Sequence, residues 1–135
     1  MPAGLSTANL IVKILNHIKG SGATAFTAPT QLYVRLHTAT PGSTGVAGVP
    51  TGGEGGQTGQ AINFTTTATN VLTMSNTPSW NITVASQTAS HISIWDASTG
   101  GNFLWSADLT APKAVVSGDT LTLTSCTLTL NTPAS

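Results

Sequence analysis

The sequence predicts an all-β protein, an antiparallel β-sandwich of jelly-roll-like type with one N-terminal amphipathic α-helix. Short stretches that alternate apolar and polar residues follow one another along most of the chain, and Gly- and Pro-containing turns separate them. One stretch near the N-terminus instead spaces its apolar residues for a helix. No repeat of fixed period competes with this reading. At 135 residues the chain is long enough for one well-packed core. It is expected to divide into a helical arm over residues 1–22 and a β-domain over residues 23–135.

The helix is expected over residues 7–19. Ser6 or Thr7 caps its start by accepting from an orphan backbone N–H. Leu10, Ile11, Ile14, Leu15 and Ile18 form one apolar stripe. Lys13 and Lys19 suit the negative end of the helix dipole, and Gly20 ends the helix. The stripe either covers an open end of the β-domain or docks on another subunit. The flexible-looking tether SGATAFTAPT joins it to the body.

A strand follows over 31–38, with Leu32, Val34 and Leu36 on one face and Tyr33, Arg35 and His37 on the outer one. Residues 41–59 are glycine-rich, too rich for a helix or strand interior. No GKS or GKT follows, so the loop is not a phosphate cradle; a long exposed loop that orders against a neighbour is expected. Residues 60–68 and 70–76 read as two strands, with Ile62 and Phe64 facing inward. A turn over 77–79 leads to Trp80, which plugs one end of the core, and a short strand is expected over 81–85.

The core is expected to nucleate in a hairpin over residues 90–107. Ile92 and Ile94 alternate with Ser93 and Trp95 in its first arm, and Phe103 and Trp105 share a face of the second. Residues 96–102 form its turn, where Gly100 and Gly101 accept positive φ. Two of the three tryptophans lie here, and aromatic rings bury the largest apolar areas. The chain is expected to break at 110–113, form a short edge at 114–116 and turn tightly at 117–119. In the last strand, 120–130, Leu121 and Leu123 are out of phase with Leu128 and Leu130, so a bulge or break is expected at Ser125-Cys126.

Only 6% of the residues are charged and the net charge is zero. Four scattered cations build no basic patch, so nucleic acid is not an expected partner. So neutral a surface suits a subunit that hides much of itself in an assembly. No segment approaches a membrane span, and no signal peptide is evident. Cys126 is the lone cysteine, which excludes an intrachain disulfide and a cysteine-based zinc site; its neighbours make it a buried small hydrophobe. His17, His37 and His91 have no second ligand at metal spacing. Asp96 and Asp108 flank the hairpin, but Asp96 is read more simply as the start of the turn. The patterns Asn63-Phe-Thr65 and Asn81-Ile-Thr83 carry no weight without secretion. No catalytic, cofactor-binding or metal-binding constellation is found, and no enzyme is expected.

Three segments carry a family resemblance: TAPTQLYVRLHTATPGSTG, then GQAINF, then SHISIWDASTGGNFLWSADLTAPKAVVSGDTLTL. Together they resemble small virion proteins of tailed bacteriophages, in which an apolar helix precedes an LYVALFTGDPG-like strand and an FGIFDAATGGNLLWSGALTTPKTVNAGDT-like half. The chain departs from that pattern over 43–60, and a Gly-Tyr-Ala-Arg run is replaced by Gly59-Gln-Ala, so no role of that Tyr or Arg carries over. The resemblance implies a virion structural subunit made in the host cytoplasm. The leading expectation is a capsid decoration protein on the outer shell, forming a homo-oligomer with a trimer favoured, and contacting the major capsid protein. A tail or tail-fibre component is the alternative. A carbohydrate-binding or host-adhesion module is a further one, with Tyr33, Trp80 and Trp95 as an aromatic platform. The expected assembly interface is the helix stripe.

Overall fold

The computed structural model describes residues 4–20, 27–50, 58–68, 70–83 and 86–130. The tether at 21–26, the middle of the glycine-rich stretch at 51–57, and the end of the strand expected over 81–85 lie outside the described residues.

Nine strands are present among them: β1 (Leu32–His37), β2 (Gln60–Ile62), β3 (Phe64–Ala68), β4 (Val71–Met74), β5 (Ser79–Asn81), β6 (Gln87–Trp95), β7 (Phe103–Val115), β8 (Thr120–Thr122) and β9 (Thr127–Thr129). All pairings are antiparallel. A four-stranded sheet runs β2-β1-β6-β7, a three-stranded one β3-β4-β9, and a pair β5-β8. The four-stranded sheet is one layer of a sandwich-like fold. Val34, Leu36, Ile92, Ile94 and Trp105 from its inner face share a buried cluster with Trp80, Leu123 and Cys126. Phe64 meets Trp105 across it, ring centroids 5.8 Å apart.

The long hairpin β6-β7 is the spine. Its turn is held by Asp96, whose Oδ1 accepts from the Asn102 amide at 2.6 Å while Oδ2 accepts from Asn102 Nδ2 at 2.8 Å. The expectation that Phe103 and Trp105 share a face is corrected. Ile94 pairs with Trp105, but Trp95 pairs with Phe103, so Leu104 is an extra residue in β7. One inserted residue reverses the sidedness beyond it. Trp105 therefore faces the core and Phe103 the other side, where its ring lies 5.7 Å from that of Trp95.

The break expected at 110–113 is also corrected, because β7 runs through it. Between the pairs His91–Asp108 and Ala89–Lys113, β6 has one residue and β7 has four. The surplus bulges out, and Pro112 sits in it, where no ladder N–H is required. The fault in the last strand is a full break. β8 pairs with β5 and β9 with β4, so the Leu repeat serves two different sheets. The strand expected over 60–68 likewise divides at Asn63, whose amide donates to Asn76 Oδ1 at 2.8 Å.

The outer face of β1 is not solvated, as the alternation alone would suggest. His37 is fully buried and Arg35 is 6% exposed. Residues 38–50 fold back over this face: the Thr38 amide donates to Gly48 O at 2.7 Å. Gly45 approaches so closely that an added Cβ would stand 2.5 Å from Phe103 Cγ. This part of the glycine-rich stretch is therefore a covering layer rather than the exposed loop expected.

The two turn glycines make a paired test. Gly100 and Gly101 both have positive φ, but only Gly101 is crowded: an added Cβ would lie 2.6 Å from Asp96 Oδ1. Gly100→Ala should cost about 1–2 kcal/mol from left-handed backbone strain. Gly101→Ala should cost roughly 1–3 kcal/mol more from the clash. Denaturant midpoints of the two variants measure the difference.

Candidate assembly surface

The N-terminal segment is rooted in the β-body. Leu5 bridges Trp105, the Ser6 amide donates to Leu104 O at 2.6 Å, and the Ser106 amide donates to Gly4 O at 2.9 Å. Ser6 caps the helix as expected, its hydroxyl accepting from the Asn9 amide at 3.3 Å. The first turn, Thr7–Ile11, is π-helical rather than α-helical. Ser6 O accepts from both the Leu10 and the Ile11 amides, and Asn9 Nδ2 donates to Phe103 O at 3.1 Å. The helix α1 proper is Val12–Lys19, and the Gly20 amide closes it on Asn16 O.

This rooting splits the apolar stripe. Leu10 is buried in the core cluster and Ile14 packs against it. Ile11 is half-buried. Leu15 and Ile18 are 58% and 75% exposed, and Val12 joins them at the surface. The stripe is thus two surfaces: an inner one that closes the sandwich, and an outer one that carries three large aliphatic side chains into solvent. Val12 was not part of the stripe read from sequence; it stands one turn before Leu15 on the exposed side of the helix.

The expected aromatic platform does not form on this chain. Trp80 and Trp95 are 2% and 5% exposed, and Tyr33 is half-buried. A stacking platform needs an open ring face. Trp95 instead has the Arg35 guanidinium carbon 3.9 Å from its ring centroid. Arg35 Nη2 donates to the carbonyls of Ala97, Ser98 and Gly100 at 3.3, 3.4 and 2.7 Å. Trp80 Nε1 is buried without an acceptor among the described residues. It lines a groove with Leu109, Thr110, Leu121, Leu123 and Cys126. Burial raises the Cys126 thiol above its ordinary pKa, which favours the protonated form.

The histidines have separate surroundings. His17 is exposed on α1. His91 Nε2 stands 3.1 Å from Asp108 Oδ1, and its Nδ1 is 2.7 Å from Ser90 Oγ. His37 lies in a determined chain. The Trp95 indole N–H can only donate, and it donates to Ser93 Oγ at 2.7 Å. Ser93 then gives its single proton to His37 Nε2 at 2.7 Å, which leaves the ring proton on Nδ1, donated to Ala47 O at 2.7 Å. Desolvation lowers the His37 pKa, the Ala47 bond opposes this, and nearby Arg35 and His91 lower it further. Asp96 and Asp108 do not meet: one holds the turn, the other His91.

Among the described residues no group of three His, Cys, Asp or Glu is placed to hold a metal ion, and no helix is long and apolar enough to cross a membrane. A family model described as podophage GP4 fiber I protein gp80 matches residues 6–131. No curated protein matches the chain. The match spans most of the sequence, and the chain belongs to this family of phage virion structural proteins.

The split stripe gives opposite expectations for neighbouring residues. Leu10→Ala should lose about 2–5 kcal/mol of monomer stability. Leu15→Ser and Ile18→Ser should stay within about 0.5 kcal/mol. Chemical denaturation at low protein concentration checks both. The histidine gives a pH signature. The unfolded chain takes up a proton near pH 6.5, the ordinary value, while folded His37 resists until lower pH. Stability should therefore fall as pH drops from about 6.5 toward that lower value. His37→Gln should abolish this slope in melting temperature against pH.

Proposed function

We propose that this member of a phage fibre family is a non-enzymatic fibre subunit that assembles with copies of itself. The family match over residues 6–131 supports a place on the fibre. The assembly reading is supported by the outer face of α1, where Val12, Leu15 and Ile18 are exposed together. Each such side chain, once buried, contributes about 1.5–3 kcal/mol. Only 6% of the residues are charged and the net charge is zero, so little repulsion opposes close contact between copies. A trimer is the proposed state.

Capsid decoration, the placement the sequence favoured, is the second reading. It shares the low charge and the apolar face, and it differs in copy number. Quantitative mass spectrometry of purified virions separates the two: a few to tens of copies per particle place the chain on the fibre, and hundreds place it on the shell. The assembly reading has its own test. Mass measurement in solution should show an oligomer for the native chain and weakened association for Leu15→Ser/Ile18→Ser, with circular dichroism unchanged. An oligomer that survives the double substitution assigns the contact to another face.

A further inference from the structure

β7 is the last strand of the four-stranded sheet, and it bulges between Asp108 and Lys113. The chain between β8 and β9 leaves one small sheet for the other. A groove of about 480 Å³ lies between these two stretches. Buried Trp80, Leu123 and Cys126 line it together with half-buried Leu109 and Leu121. Exposed Thr110 and Thr124 stand among them, and Asp108 and Lys113 add one charge of each sign. An apolar centre with a polar border is the make-up of a protein contact surface. The opposed charges favour neither an acidic nor a basic peptide, so the fit is apolar.

The same chain carries the matching convex feature. Val12, Leu15 and Ile18 follow at i, i+3 and i+6 on α1 and are exposed. Such spacing is how an amphipathic helix presents its anchors to an apolar groove. No residue of α1 lines the groove of its own chain. The bonds of Gly4 and Ser6 to residues 104–106 and the burial of Leu10 hold α1 in place on the body. Its outer face therefore meets the groove only between copies. We propose that α1 of one copy lies in the groove of the next, with Val12, Leu15 and Ile18 packed on Leu109 and Leu121. This rests on the reading that the chain assembles with itself, and it names the surface that receives the helix. The contact is heterologous: each copy gives one helix and receives one, and a closed ring of three uses every helix and every groove.

The test is complementation between two defective full-length chains, read by mass measurement in solution. Thr110→Trp fills the groove from an exposed position and keeps α1 intact. Leu15→Ser/Ile18→Ser spoils the helix face and keeps the groove. Each alone should associate roughly a hundredfold or more weakly than the native chain. Mixed in equal amounts, they should form a heterodimer through the one remaining good contact, and nothing larger. Thr124→Trp fills the groove from the other stretch and should behave as Thr110→Trp does, with circular dichroism confirming the fold of each. A folded tryptophan variant that assembles as the native chain does overturns the proposal, as does a mixture that gives no heterodimer. Either result leaves self-assembly through α1 standing. A native chain that stays monomeric at every concentration overturns the self-assembly reading and this contact with it.

Discussion

The Ser93 hydroxyl has one proton and two neighbours, and the outer face of the four-stranded sheet is built on how that proton is used. Trp95 supplies a donor, so the serine must pass its own proton to His37. His37 must then point its remaining N–H at Ala47, which draws the 38–50 segment over the sheet. Gly45 admits Phe103 beneath that cover, and Trp95 in turn supports the Arg35 guanidinium. A polar face is thereby buried with the hydrogen bonds of Trp95, Ser93 and His37 made. Low dielectric strengthens such a chain and also makes each link expensive to lose.

Much of the fold was legible because period and turn chemistry are local. Val34, Leu36, Ile92 and Ile94 alternate inward as their spacing requires, and Asp96 begins the hairpin turn. The phase conflict between Leu121 and Leu128 announced a discontinuity, and the structure resolves it by sending the two leucines to different sheets. What was not legible depends on contacts distant in sequence. Nothing near His37 announces that residues 38–50 return to cover it, so a solvated outer face was the natural reading. The inserted Leu104 also leaves the run Phe103-Leu104-Trp105 looking like ordinary alternation. Pro112 reads as a terminator unless the partner strand is known to be shorter there.

The exposed apolar face of the helix was half legible. A helical stripe in sequence says that an apolar face exists, and it does not say how many partners share it. The π-helical first turn settles the division, because Ser6 O holds two amides and Asn9 reaches Phe103. Leu10 is turned into the body and Ile18 away from it. One short element therefore both closes the body through Leu10 and presents an exposed aliphatic surface through Val12, Leu15 and Ile18. The tryptophans show the converse. They were read as core-forming, with a sugar platform at Tyr33, Trp80 and Trp95 as a further alternative, and Trp80 and Trp95 lie buried.

The rooting of the N-terminal segment on β7 has a kinetic meaning. The Gly4 amide reaches the Ser106 side chain across a sequence separation of 102 residues. Closing loops of that size forfeits chain entropy before the contacts form that compensate it. β8 and β9 impose the same delay at the other end, since they complete the sheets begun by β4 and β5. The β6-β7 hairpin can form early from neighbouring residues, whereas both of its flanks wait for distant strands. By topology the N-terminal segment belongs to the late-closing part of the fold, since its native contacts at Gly4, Leu5 and Ser6 are all made on β7.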